Sequence, residues 1–245
     1  KYALLRPEFS RLRYKAIAKR KNTNSINNII ISMGGSDVNN ITHSILEKIP
    51  NNYSVVVVLG KNSPHNKMLK NYIKDKNIKI LIDSNNMADL MLDADLAIGA
   101  GGSTSWERCC LSLPAFIFQI DGNQRMIVKQ LVKFGSVKLI ENVESIKNNL
   151  EDIQNNLSSW ALMSRKSKSI CDGLGADRVR NMSNKNVSVV GAGIAGIIAA
   201  YFEAKKGNNV TLIESDARAG GLLKSDFLNG KYFDFLWIKF QNKDY

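Results

Sequence analysis

Six short apolar runs, separated by longer mixed segments, constrain this chain more than any other feature. The runs are NIIISM (28–33), SVVVVLG (54–60), IKILID (78–83), LAIGA (96–100), AFIFQI (115–120) and VKLI (137–140). Apart from Lys79 and Lys138 in the third and sixth, each centres on a continuous apolar stretch, as a strand does when both faces of its sheet are covered. Helix-like segments fall between them at 39–48, 64–75, 86–94, 104–112 and 123–134, and two more follow at 144–157 and 158–170. This alternation predicts an α/β fold, a Rossmann-like, doubly wound parallel sheet.

Two strand-to-helix turns are rich in glycine. IIISMGGSD (29–37) turns through Gly34, Gly35 and Ser36, and GAGGSTSWERCCLSLP (99–114) turns through Gly101, Gly102, Ser103 and Thr104. Glycines before a helix start leave backbone N–H groups uncovered, which suits a phosphate. Two such loops in one domain point to a diphosphate held from two sides, with Ser103 and Thr104 as donors. Asp37 would repel a phosphate and is read as a helix cap. Glu107 has two readings. Thr104-Ser105-Trp106-Glu107 fits a capping box, and a carboxylate one turn into the helix also reaches a sugar hydroxyl. Asn123 and Gln124 open a helix after AFIFQIDG, where Asn123 is either an N-cap or a ligand contact.

A third glycine turn lies downstream. NVSVVGAGIAGIIAAYFEAKKGNNVTLIESDARAGG (186–221) reads as strand, G-x-G-x-x-G, helix, strand and acidic end. Gly191 supplies the tight turn, Gly193 the close approach to a pyrophosphate and Gly196 the helix–strand packing. Glu214 closes the second strand, where it can accept from a ribose hydroxyl. Two short strands around Asn229-Gly230 follow as a hairpin.

The charge is uneven. Of the net +12, residues 1–25 carry +7, residues 26–185 carry +4 and residues 186–245 carry +1. No aromatic interleaving or nucleic-acid motif accompanies the basic start, so it is read as a solvated connecting helix, with no nucleic-acid partner. No apolar run approaches the roughly 18 residues of a membrane span. The chain starts at Lys1 without a signal-peptide pattern. Its three cysteines, two adjacent, form no disulfide framework, and a cytoplasmic location is expected. Cys109, Cys110 and Trp106 are read as packing residues and His43 and His65 as incidental; no metal site is expected.

SMGGSD, NMADLM-x-x-ADLAIGAGGSTSWERCCLSLP, the following NQ (123–124) and DGLGADRV (172–179) resemble the UDP-sugar hydrolases of pseudaminic acid biosynthesis. The resemblance runs from about Tyr2 to about Arg180. It implies the carboxyl half of a GT-B fold, facing an amino-terminal domain that this chain lacks. It also implies hydrolysis of UDP-2,4-diacetamido-2,4,6-trideoxy-β-L-altropyranose without a cofactor, with UDP held by Gly34, Gly35, Ser36, Gly101, Gly102, Ser103, Thr104, Glu107, Asn123 and Gln124. The uracil would lie against Ser84–Met87. The base that activates water would belong to the absent domain, so no catalytic residue is assigned. A UDP-sugar glycosyltransferase is the alternative for the same half.

The downstream pattern, with E-x-x-x-R-x-G-G (214–221), resembles FAD-dependent amine oxidases and UDP-galactopyranose mutases. It implies FAD, or NAD(P), at Gly191, Gly193, Gly196, Glu214, Arg218, Gly220 and Gly221. These families continue with Asp-x-Gly after the hairpin, whereas Asp234-Phe235 is followed here by Leu236-Trp237. The expected organisation is a basic linker helix at 1–25, a UDP-sugar-binding domain at 26–182 and a partial dinucleotide-binding domain at 186–245, joined through NMSNK. Two further readings are an oxidoreductase or mutase fragment and a non-catalytic nucleotide-binding fragment.

Overall fold

The computed structural model describes residues 2–35, 37–73, 77–182, 185–221, 225–228 and 231–234. The chain divides into two compact units, Lys1–Ala176 and Asp177–Tyr245.

The first unit begins with α1 (Pro7–Lys21) and continues through β1 (Asn28–Ser32), α2 (Ile41–Lys48), β2 (Ser54–Leu59), α3 (Asn66–Tyr72), β3 (Ile78–Ile82), α4 (Met87–Asp93) and β4 (Leu96–Ala100). Then come α5 (Thr104–Cys110), β5 (Ala115–Phe118), α6 (Arg125–Phe134), β6 (Val137–Leu139), α7 (Ile146–Asn155) and α8 (Leu157–Ile170). The six predicted strands and seven predicted helices are all present, most of them trimmed by a residue or two. The strands form one parallel sheet in the order β3-β2-β1-β4-β5-β6.

Both faces of the sheet are covered, which is why the strands read as near-continuously apolar. Ile29, Ile31, Val57, Ile98 and Phe116 face one core with Ile45, Leu150 and Trp160. Ile30, Ala97, Ala115 and Ile117 face the other with Phe9, Met91, Cys110 and Leu131. Alternate residues of one strand thus enter opposite cores, as strand geometry dictates.

The basic amino-terminal helix is not solvated all round, contrary to expectation. Phe9 and Ala16 are fully buried. Its cations cap the carboxyl ends of other helices, whose last carbonyls lack partners within the helix. Arg13 donates to the carbonyls of Cys110 (2.7 Å), Lys168 (2.7 Å) and Cys171 (2.6 Å), at the ends of α5 and α8. Arg20 donates to those of Met91 (2.8 Å) and Leu92 (3.3 Å) at the end of α4, and Lys19 donates to Leu92 and Asp93. Burial draws the Arg20 pKa down to about 10, against the opposing charges of Asp95 and Asp93. Part of the basic excess is therefore consumed by backbone carbonyls.

A further helix, α9 (Gly175–Met182), spans the division between the units. The second unit contains β7 (Asn186–Val190), α10 (Ile194–Lys205) and β8 (Asn209–Ile213), with β7 and β8 parallel. A hairpin of β9 (Ser225–Leu228) and β10 (Lys231–Asp234) follows, pairing Leu228 with Lys231. The Asn229-Gly230 turn lies outside the described residues, as do Ser183 and Asn184 of the expected linker and Phe235–Trp237. No described helix is long and apolar enough to cross a membrane.

Candidate functional site

The strand order places the two glycine loops side by side. After β1 the chain moves outward through β2 and β3, then returns to lay β4 against the other edge of β1. The point where a doubly wound sheet reverses direction opens a crevice at the carboxyl ends of its strands, where ligands bind. Ser32 pairs with Gly99 at that point, so the turns after β1 and β4 face one another.

Two contiguous hollows occupy the crevice. The larger, about 470 Å³, is lined by Gly34, Gly35, Gly102, Ser103, Thr104, Asp121 and Gln124, among others. The smaller, about 250 Å³, shares Gly34, Gly35 and Thr104 with it and adds Arg6, Ser84, Met87 and Glu107. Most of the residues selected from sequence thus converge. Ser36 lies outside the described residues, and Asn123 is exposed.

Asp37 caps α2 as expected. Its two oxygens accept the N–H groups of Ile41 (2.9 Å) and Thr42 (3.0 Å). The first-turn donors of α2 are thereby spent. Within the β4–α5 loop the Gly101 N–H is directed at the Phe118 carbonyl and at Gln124 Oε1, each at 3.2 Å. Gln124 Oε1 also accepts the Ile120 N–H at 3.3 Å. Among the described residues, no acceptor takes the N–H groups of Gly102, Ser103 and Thr104.

The capping box does not form. Ser103 is the N-cap of α5, no side chain caps the helix, and Thr104 is already its first helical residue. The Glu107 carboxyl lines the smaller hollow instead. Burial raises its pKa, opposed by the guanidinium groups of Arg6 and Arg108. Asp121, not Asn123, caps the turn at Gly122–Gln124, accepting the Gly122 N–H at 3.0 Å.

Two basic residues were not selected from sequence. Arg6 enters the crevice from the segment before α1. Arg108 lies beneath the glycine loop, 2% exposed. Its Nη2 donates to the Ala100 carbonyl (2.6 Å) and to Ser105 Oγ (2.9 Å), while its Nε has no partner. A side chain on Gly99 would collide with the Ser32 carbonyl and lie 2.5 Å from Arg108 Nη1, so only glycine fits there. Burial draws the Arg108 pKa down to about 10, against smaller contributions from Cys109 and Glu107. The guanidinium therefore stays charged at neutral pH.

The remaining polar candidates lie apart from this chemistry. His43 packs on the Tyr72 ring, with centroids 4.6 Å apart, and His65 bonds the Val38 carbonyl at 2.9 Å. All three cysteines are buried, and burial pushes the Cys109 thiol up to about 12. The neighbouring Cys110 draws the Cys171 thiol below its usual range, against burial, which raises it. Trp106 packs against a core. No cluster of metal-ligating residues occurs among the described residues.

In the second unit, Gly193 caps α10 and bridges to Gly220. A side chain on Gly196 would strike the Gly191 carbonyl oxygen, so α10 can approach the turn only with glycine there. Glu214 Oε2 accepts the Ala192 N–H (2.6 Å), and its Oε1 accepts the Asp216 N–H (3.0 Å). Those bonds, the one from Asp216 first, lower its pKa. Arg218 follows in the turn that returns to Gly220 and Gly221.

Residues 24–178 match the glycosyltransferase family 28 C-terminal domain. The chain belongs to that family. Residues 189–242 match the NAD(P)-binding Rossmann-like domain. The family 28 domain resembles MurG of Acinetobacter baumannii, with a TM-score of 0.53 and 18% identity over 69% of this chain and 52% of that one. It likewise resembles the UDP-GlcNAc 2-epimerase of Neisseria meningitidis bound to UDP-GlcNAc, with a TM-score of 0.54 and 17% identity over 71% and 51%. These likenesses establish a GT-B-like α/β fold.

Among curated relatives, the uncharacterized protein MJ1062 of Methanocaldococcus jannaschii is 36% identical over 132 residues, 51% of this chain and 27% of that protein. The UDP-2,4-diacetamido-2,4,6-trideoxy-beta-L-altropyranose hydrolase of Campylobacter jejuni is 28% identical over 103 residues, 42% of this chain and 35% of that protein. Protoporphyrinogen oxidase 2 of Arabidopsis thaliana is 46% identical over 57 residues, 23% of this chain and 11% of that protein. The chain therefore spans well under half the length of each of these relatives.

Proposed function

We propose that the first unit binds the UDP portion of a UDP-sugar and serves in its hydrolysis, releasing UDP from UDP-2,4-diacetamido-2,4,6-trideoxy-β-L-altropyranose in pseudaminic acid biosynthesis. The observation that carries this reading is the contiguous crevice at the β1–β4 reversal, where both glycine loops, Ser84, Met87 and Glu107 meet. The uracil lies towards Ser84 and Met87. Glu107 accepts from the ribose hydroxyls. The diphosphate takes the free N–H groups of Gly102, Ser103 and Thr104 together with the hydroxyls of Ser103 and Thr104. Gln124 Nε2 faces the sugar side.

As the bond from the anomeric carbon to UDP breaks, charge grows on the leaving diphosphate, and preorganised donors favour that state over the intact substrate. The water-activating base belongs to a facing domain in this reading. A UDP-sugar transferase would use the same half; the 28% identity to the Campylobacter hydrolase favours hydrolysis. Three free thiols suit a reducing cytoplasm.

In the second unit the residues fit the ADP half of FAD or NAD(P). Gly191, Gly193 and Gly221 present bare backbone to a pyrophosphate, Arg218 adds charge, and Glu214 has lone pairs left for a ribose hydroxyl. The Ala192 N–H is already taken by Glu214 and is no phosphate donor. A bound flavin or nicotinamide would supply redox chemistry, and this unit would hold and orient its adenosine end.

Calorimetry on the whole chain tests the first assignment. UDP is expected to bind, with ADP weaker. No heat with UDP, or equal affinity for ADP, would refute it. Titration with FAD and NAD+, followed by fluorescence, tests the second; binding of neither would remove it.

A further inference from the structure

We infer that Arg108 is a positioning residue for the diphosphate, a fixed positive charge sealed beneath the β4–α5 loop. The inference rests on the diphosphate reading of that loop and adds the residue that selects for an anion there.

A guanidinium is seldom buried without a carboxylate, because losing its hydration costs more than neutral dipoles return. Arg108 is 2% exposed, and its hydrogen bonds go to a carbonyl and a hydroxyl. Among the described residues it has no ion-pair partner, and its Nε lacks an acceptor altogether. Glu107, the neighbouring acid, faces the crevice. The chain nevertheless makes room for this charge. Gly99 has no side chain at the very place where Arg108 Nη1 passes.

Two effects follow from that position. By donating to the Ala100 carbonyl, Arg108 fixes the last peptide of β4 before the loop opens. By its charge, it raises the potential around Gly101–Thr104 through poorly screened surroundings. An arriving diphosphate would be the missing counter-charge. The charge therefore disfavours the empty protein and favours the loaded one, whereas a purely structural arginine would favour both alike.

The test compares wild type with Arg108→Met for thermal stability and for affinity towards UDP, uridine and inorganic pyrophosphate. Arg108→Met is expected to bind UDP and pyrophosphate roughly ten- to a hundredfold more weakly. Uridine affinity should hold, and the unliganded melting temperature should not fall. Equal loss for UDP and uridine, or unchanged UDP affinity, would overturn the inference. Pyrophosphate binding without UDP binding in wild type would sink the UDP reading and leave Arg108 standing; binding of neither would sink both.

Arg108→Lys covers the case in which the Met variant fails to fold. A buried ammonium loses its proton far more readily than a guanidinium. UDP affinity of this variant should then fall between about pH 7 and 9 while wild type stays flat, with uridine as the control. A flat profile in the Lys variant would count against a role for charge.

Discussion

The side-chain oxygen of Gln124 accepts the Gly101 N–H at 3.2 Å, joining the turn after β5 to the turn after β4. One residue thus ties together two successive walls of the crevice, with its amide nitrogen left facing Gly102. Gln124→Leu should loosen the loop and weaken UDP by about 1 kcal/mol with little effect on melting. Gln124→Glu keeps the acceptor but adds a negative charge beside the diphosphate. It should weaken UDP more than the Leu variant does and leave uridine alone. Calorimetry with both ligands checks this; the reverse order would contradict a diphosphate at this loop.

Glu107 sets stability against binding. Burial raises its pKa, so the folded protein takes up its proton more readily than the unfolded chain. Its ionisation therefore opposes folding above the raised pKa, and that penalty fades as pH falls through it. Glu107→Gln should melt higher than wild type near neutral pH, with the gap closing in the acid range. The same variant should bind UDP about 1–2 kcal/mol more weakly, as a neutral amide is a poorer acceptor from ribose hydroxyls. Melting curves across pH, paired with UDP titrations, read both effects. A variant that melts lower at neutral pH would show that Glu107 is a structural group.

Arg13 holds three backbone carbonyls that are distant in sequence. Arg13→Met strands all three and should cost about 2–4 kcal/mol of unfolding free energy. Arg11→Met, on the exposed side of the same helix, should stay within about 0.5 kcal/mol. Urea unfolding of the pair measures the contrast. Similar small losses would return the basic segment to the status of a solvated connector.

The strands and glycine turns were legible because their causes are local. All six strands lie within two residues of their predicted bounds, and Asp37 caps α2 from the position that its charge suggested. What escaped depends on residues far apart in the chain. Arg13 meets the Cys171 carbonyl across most of the first unit, and no sequence pattern marks that contact. Arg6 reads as part of a linker until the fold brings it to the crevice. Arg108 sits in plain view beside Glu107, but an arginine on a short helix gives no sign that it is buried. The capping box failed because Ser103, not its neighbour, ends the loop, so Glu107 is out of register for the reciprocal bond.

The second unit should be the more labile. Among the hydrophobic residues of 185–221 only Ala192 is buried, while Val190 is 81% exposed, Tyr201 60% and Phe202 53%. Such a small buried surface offsets little chain entropy. Hydrogen exchange should therefore be faster across residues 186–213 than across residues 28–140. Equal protection in the two segments would contradict this.

The strand order also governs when the crevice comes into being. β1 is made before its second neighbour, β4, which begins only at Leu96. Until β4 emerges from the ribosome, an apolar edge of β1 stands unpaired, the condition under which nascent chains associate wrongly. Pairing across so long a stretch closes late, since the entropy of the intervening loop must be lost first. The first glycine loop thus waits for the second until β4 has paired, and a ligand meets both only after the central seam of the sheet has closed.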